Sequence, residues 1–147
     1  MRAIRPQLSS MNEPIIDSTA TAQLLVTSSD LADALSLGPQ DVFPAVLATA
    51  RLVALMEIAS ARLLQPCLGD GELSVGVNVE IKHSAPTPVG ASVTATARYL
   101  GREGKLFAFE VAAADAGGEI GRGRHHRAIV NAERLQKGAL RRVGARS

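Results

Sequence analysis

A chain of 147 residues with 46% apolar and 20% charged side chains has the make-up of one compact globular domain with a substantial core. Arg51, Glu57 and Arg62 interrupt the richest apolar window, which argues against a spanning helix, and the N-terminus lacks the apolar run of a secretory signal. A lone cysteine, Cys67, supplies neither an internal disulfide nor a metal cluster, so the expected compartment is the cytoplasm.

Residues 1–18 read as a flexible N-terminal segment, 19–133 as the folded domain and 134–147 as a basic C-terminal tail. Thr19–Thr27 reads as a first strand, and Ser29 or Asp30 is positioned to cap a short helical segment through Leu35. Gly38-Pro39 punctuates the chain, and Pro44 suits the first turn of a long helix running to about Leu64. Its alanines (Ala45, Ala48, Ala50, Ala54, Ala59 and Ala61) favour helix and let a sheet approach closely. Pro66 and the Gly69-Asp-Gly71 run then end it in a turn.

Beyond Gly71 the period changes to two. Leu73, Val75, Val77, Val79, Ile81 and His83 fall on one face of a strand, the face expected to bury against the helix. The Pro-rich loop Ala85–Gly90 cannot continue a central strand. Ser92–Leu100, Leu106–Ala114 and Glu119–Asn131 are further strands, separated by the hairpin connections Gly101–Gly104 and Asp115–Gly118. One strand, one long helix and a four-strand meander predict an α+β domain, a helix wrapped by antiparallel sheet.

Glu57 is the residue that packing alone does not explain. It interrupts an apolar, small-residue helix, where an unpaired buried carboxylate would be costly. Thr49 lies eight positions earlier, roughly 80° around the helix and about 12 Å along it, so the two can border one groove without touching. His83 ends its strand beside the Pro-rich loop, at the rim of a possible cleft. Carboxylate and imidazole together can activate water, or the carboxylate can attack an acyl carbon. The structural alternatives are an Arg or interface partner for Glu57, a satisfied edge histidine, and a threonine bonded to its own preceding turn.

The last strand carries Gly121-Arg-Gly-Arg-His-His-Arg127. Alternation puts Gly121, Gly123, His125 and Arg127 on one face, with Arg127 available to a carboxylate or an anion. It is not a dinucleotide fingerprint, because it lies late in a strand. His125 and His126 point to opposite faces, and no HExxH, cysteine pair or carboxylate triad completes a metal site. There is also no GxSxG elbow. From residue 134 onward Arg134, Lys137, Arg141, Arg142 and Arg146 meet no acid, and the expectation is a solvated, partly disordered end. With 3% aromatics and no Trp there is no stacking platform for bases, so nucleic acid is not an expected partner.

The segment Phe43–Glu57, followed by Ser74-Val-Gly76, His83–Gly90 and Ile120–Arg127, resembles the hot-dog-fold acyl-CoA thioesterases, and within them the fluoroacetyl-CoA thioesterase family, over roughly residues 20–133. The resemblance implies a long central helix wrapped by a curved antiparallel sheet, and a homodimer with two equivalent sites at the subunit interface. It implies Thr49, Glu57 and His83 as the catalytic set, and Gly76 and Arg127 as substrate-site residues. The implied reaction is hydrolysis of an acyl-CoA to a carboxylic acid and free CoA, coenzyme A being part of the substrate and no other cofactor being required. Glu57 would serve as nucleophile, through an acyl anhydride, or as base for water. Phe43 matches one aromatic of the lid that gates the fluoroacetyl site, but Gln40 stands where its aromatic partner is expected, so a small or short-chain acyl group is the expected substrate. A hot-dog hydratase or dehydratase and a noncatalytic acyl-CoA-binding regulatory domain are the competing readings.

Overall fold

The computed structural model describes residues 12–145. Strand β1 (Thr19–Leu25) leads through two 3-10 turns (Ser28–Asp30 and Ala32–Leu35) to helix α1 (Thr49–Leu64) and a further 3-10 turn (Gln65–Cys67). Then come β2 (Glu72–His83), β3 (Ser92–Glu103), β4 (Leu106–Asp115), β5 (Gly118–Asn131) and helix α2 (Ala132–Arg142). The strands form one five-stranded antiparallel sheet in the order β1-β3-β4-β5-β2, and α1 packs against it.

The expected four-strand meander is therefore only partly realised: β3, β4 and β5 are consecutive neighbours, but β2 joins the far side of β5. The Pro-rich loop is the reason. It does not fold back as a hairpin but crosses from β2 to β3, pinned by Ser84 N–H to Ile120 O, Gly90 N–H to Val26 O and the buried Thr87 hydroxyl to Asp115. This leaves β2 as a long edge strand.

Helix α1 buries Leu52, Leu55, Met56, Ala59 and Leu64, the helical spacing of one apolar face. Each large side chain so buried contributes about 1.5–3 kcal/mol. Across from it lie Ala95, Ala97, Val111 and Ala113, with Tyr99 and Phe109 packed at a tilt, 5.6 Å between ring centres. The alanines on both sides are what let the helix sit close to the sheet.

The helix starts five residues later than Pro44 suggests. Residues 44–48 are held out of helical geometry by Ala32 N–H to Val46 O, Leu47 N–H to Thr87 O and Ala48 N–H to Asp30 O, so neighbouring loops take the backbone bonds a first turn would have used. The preceding 3-10 turn is closed by Thr27, whose N–H donates to Asp30 at 2.8 Å.

The inward face of β2 is also not the unbroken odd-numbered one. A β-bulge at Val77 shifts the register between Gly76 and Asn78. Gly76 is opposite Arg127, whereas Val79, Ile81 and His83 are opposite His125, Gly123 and Gly121. Even positions Ser74 and Gly76 thus face the helix before the bulge, and odd positions after it. Leu73 and Val77 are left more than half exposed.

Of the expected flexible segment 1–18, residues 1–11 lie outside the described residues, while Glu13 accepts from the Tyr99 hydroxyl and Asp17 N–H donates to Tyr99 O. In the expected basic tail, α2 is a regular helix capped by the Asn131 side chain on Arg134 N–H at 2.8 Å. None of its residues is buried, so its charges are solvated but its backbone is ordered. Among the described residues no helix is long and apolar enough to cross a membrane, and no cluster of His, Cys, Asp and Glu could hold a metal ion.

Candidate active site

Thr49 is the first residue of α1, and Asp30 holds it there. The Asp30 carbonyl receives the Ala48 N–H, and its buried carboxylate receives Arg51 Nε at 2.9 Å as well as the Thr27 N–H. The Thr27 N–H is the main reason the Asp30 carboxyl lies below its ordinary pKa; burial opposes this and Arg51 adds to it. The Thr49 hydroxyl does not bond its own turn. It reaches across to His83 Nδ1 at 2.8 Å. His83 Nε2 is buried and has no hydrogen-bond partner among the described residues.

This pair opens onto a cavity of about 430 Å³ lined by Phe43, Pro44, Val46, Leu47, Ala85 and Pro86. Phe43 is half exposed at its mouth. Gln40 does not line the cavity; its amide lies over Gly38.

Two turns along α1, Glu57 is served by a different set of groups. Its Oε1 accepts from Arg127 Nη1 at 2.9 Å, and its Oε2 makes no hydrogen bond among the described residues. The Glu57 side chain is 38% exposed while that of Arg127 is 8% exposed. Arg127 makes three further bonds: Nε donates to Ser74 Oγ at 3.0 Å, Nη2 to Ser74 O at 3.0 Å, and Nη1 also to His125 Nε2 at 3.1 Å. His125 Nδ1 lies 2.8 Å from Asn78 O, at the bulge. A carbonyl only accepts, so Nδ1 carries the proton and Nε2 is the acceptor. Burial pushes the His125 imidazole below its ordinary pKa, which favours this neutral form.

Gly76 completes this group. A methyl group there would stand 2.5 Å from Glu57 Oε1 and 3.2 Å from His125 Cε1, so the bare glycine is what lets the carboxylate lie against the strand.

The six expected residues therefore fall into two groups within one chain. Thr49, His83 and Phe43 meet at the start of α1, and Glu57, Gly76 and Arg127 meet about 12 Å further along it. No direct bond joins Glu57 to Thr49 or His83. Ser74 and His125 belong to the second group and had no expected role in the site, although both lie within the motifs that carry the resemblance. The shared face of His125 and Arg127 was the available signal for the histidine; the bulge that turns Ser74 inward has none.

A helix laid along a curved antiparallel sheet, with a carboxylate on the helix and a histidine at the end of the edge strand, defines a hot-dog-fold thioesterase. A solved hot-dog-like protein from Thermanaerovibrio acidaminovorans superposes with a TM-score of 0.75 at 26% identity, covering 92% of this chain and 96% of that one. The model of the family described as fluoroacetyl-CoA-specific thioesterase (FlK) matches residues 26–133, and the chain belongs to that family. The fluoroacetyl-CoA thioesterase of Streptantibioticus cattleyicolor is 42% identical over 93 residues, 63% of this chain and 67% of that protein. A solved structure of the fluoroacetyl-CoA thioesterase FlK has a TM-score of 0.82 at 33% identity and covers 86% of this chain and 96% of its own.

Proposed function

We propose that the chain hydrolyses the thioester of a small or short-chain acyl-CoA to the carboxylic acid and free CoA. The observation that carries this reading is Glu57: its carboxylate is tethered by Arg127 through one oxygen, is free at the other and lies against a side-chain-free stretch of strand. Thioester hydrolysis by a carboxylate follows one of two balanced routes. Glu57 attacks the acyl carbon, the C–S bond breaks, CoA leaves as thiolate and takes up a proton, and water then cleaves the anhydride. Alternatively Glu57 takes a proton from water as the water adds to the same carbon; the tetrahedral intermediate then collapses, the C–S bond breaks, and the leaving CoA thiolate takes up that proton. His83 takes the proton of the water that cleaves the anhydride in the first route and passes the proton on to the CoA thiolate in the second, and the Thr49 hydroxyl fixes the imidazole through Nδ1. Backbone N–H groups near Gly76 are suited to the developing oxyanion. Coenzyme A enters as part of the substrate, and no resident cofactor is required. Such a reaction suits the cytoplasm, where acyl-CoA is formed.

The enzyme works as a homodimer paired through β2. That edge is long, with unpaired backbone groups on one side and Leu73, Val77 and Val79 exposed along it, a surface that monomers generally protect. Antiparallel two-fold pairing of β2 runs the His83 end of one strand beside the Ser74–Gly76 end of the other. The Thr49–His83 pair of one copy then meets the Glu57–Arg127 pair of its partner, which gives the buried His83 Nε2 something to bond. Phe43 lines the acyl cavity without a second aromatic, and Gln40 is not part of that lining, so the cavity fits a short acyl chain better than a closed trap for a fluorinated one.

The test is an acyl-CoA panel (short, branched, aromatic and halogenated) with free-thiol detection, on wild type, Glu57→Gln and His83→Ala. Release of CoA from short acyl groups, reduced about 10²–10⁴-fold in each variant, is expected. Binding without turnover across the panel would make the chain a noncatalytic binder, and water addition to an enoyl-CoA would make it a hydratase. For the dimer, a heterodimer of Glu57→Gln with His83→Ala keeps one intact shared site and about half of wild-type activity, whereas sites held within single chains recover none.

A further inference from the structure

We infer that His125 is a positioning residue for the Glu57 carboxylate, acting through Arg127 as a neutral Nδ1-protonated imidazole; this rests on the thioesterase reading of the same site. Inserting Val77 breaks the β2–β5 ladder between Gly76 and Asn78. Asn78 O receives the His125 Nδ1–H at 2.8 Å. The ring is 1% exposed and is backed by Phe109, with ring centres 6.4 Å apart, so its plane is set by packing as well as by that bond.

With Nδ1 committed as donor, Nε2 presents a lone pair to Arg127 Nη1 at 3.1 Å. The same Nη1 holds Glu57 Oε1 at 2.9 Å. One guanidinium nitrogen thus has both of its hydrogens assigned, one to the imidazole and one to the carboxylate, while Ser74 takes Nε and Nη2. Two bonds to Ser74 already fix the guanidinium plane. The His125 bond fixes how Nη1 divides its hydrogens, and so the direction from which Glu57 is gripped. An Nε2-protonated or doubly protonated ring would set an N–H against the Nη1 hydrogens and turn this contact repulsive. His125 is buried and reaches Glu57 only through the shared Arg127 Nη1, so its role is to position the carboxylate.

The two ring nitrogens can be separated by substitution. In His125→Gln the amide oxygen reaches the Nε2 position and keeps the acceptor for Arg127, losing the donor to Asn78. In His125→Asn the amide nitrogen reaches the Nδ1 position and keeps the donor to Asn78, losing the acceptor. With the best substrate of the panel, His125→Gln is expected to keep kcat within about 3-fold of wild type, while His125→Asn loses roughly 10–100-fold in kcat with KM little changed, as for a group felt only in the transition state. An Asn variant as active as the Gln variant, or losses carried by KM in both, would overturn the assignment. Should either variant fold poorly, the wild-type protein supplies a second readout: nitrogen-15 NMR of the histidine side chains at neutral pH. Protonated Nδ1 and unprotonated Nε2 at His125 are expected, and the reverse pattern would refute the chain of bonds. If wild type releases no CoA from any substrate, the thioesterase reading fails while the NMR result still judges the hydrogen-bond chain.

Discussion

Gly76→Ala tests the site with a single methyl group. Gly76 does not occupy the left-handed region, so alanine is acceptable to the backbone and the effect is one of space alone. The new Cβ would stand 2.5 Å from Glu57 Oε1, where ordinary contact begins near 3.4 Å, so the carboxylate must withdraw by close to 1 Å. Starting from 2.9 Å, that displacement breaks or badly bends the bond to Arg127 Nη1. A hydrogen bond to a charged group contributes about 1.5–3 kcal/mol, which as lost transition-state positioning is roughly a 10–150-fold fall in kcat. Stability should change less, because the group that moves furthest is the end of a flexible, 38% exposed side chain, while the buried His125 ring, 3.2 Å from the new Cβ, has to give by only a few tenths of an ångström. The assay is free-thiol release at saturating acyl-CoA, with thermal unfolding measured on the same preparation. A kcat within about 2-fold of wild type, in a protein of unchanged stability, would refute the claim that Glu57 must lie against this strand.

Thr49→Val keeps the shape of the side chain but removes the hydroxyl bonded to His83 Nδ1, and should lower kcat about 10–100-fold, while Thr49→Ser recovers most of it; equal activity in Val and Ser would show the hydroxyl to be idle. Gly123→Ala, by contrast, should act on stability. Its Cβ would collide with the Ile81 backbone and the Glu80 carbonyl, so β5 and β2 must separate, at a cost of about 3 kcal/mol or more and close to 10 °C in Tm by calorimetry. Acid should weaken the fold in two stages. His125 has a lowered folded pKa, so the stability it contributes is complete above its ordinary value of 6.5 and declines as the pH falls below that, with Arg127 opposing its protonation and Glu57 favouring it. Asp30, also lowered, adds a second loss as the pH falls through its ordinary 3.8 toward its folded value. Denaturant titrations from pH 7 to pH 3 check this, and a first stage that survives unchanged in His125→Gln would refute its assignment.

Periodicity made most of the fold legible. The alternating runs of β4 and β5 stand within a residue of where sequence placed them, with glycines of positive φ, Gly104 and Gly118, at the turns before them. Strand β3 instead runs past Leu100 to Glu103, through most of the expected Gly101–Gly104 connection, after a register shift between Tyr99 and Gly101. The start of α1 was not legible, since the bonds that keep Val46, Leu47 and Ala48 extended come from Ala32, Thr87 and Asp30, far away in sequence. Neither was the position of β2, because a Pro-rich loop announces that a strand ends but not where the chain goes next. Among the site residues, Glu57 stood out as an acid in an apolar helix, and the shared face of Gly121, Gly123, His125 and Arg127 was correct. The grip of Arg127 on Glu57 joins residues 70 positions apart, and local pattern offered it only as one option among several.

The bulge at Val77 explains why the regular reading of β2 failed and why the site exists. Without the extra residue, a strand that points Val79, Ile81 and His83 at the helix would also point Val77 and Val75 at it. Glu57 would then meet a branched side chain where it now meets the bare Gly76, and Ser74 would turn outward, taking from Arg127 the Oγ that its Nε now holds. The inserted residue reverses the faces, so Ser74 and Gly76 serve the ion pair while Leu73 and Val77 are delivered to the exposed edge. The same interruption frees the region around Asn78 for the His125 ring. One inserted residue therefore supplies three things at once: space for the carboxylate, a partner for its arginine, and an exposed apolar edge along β2.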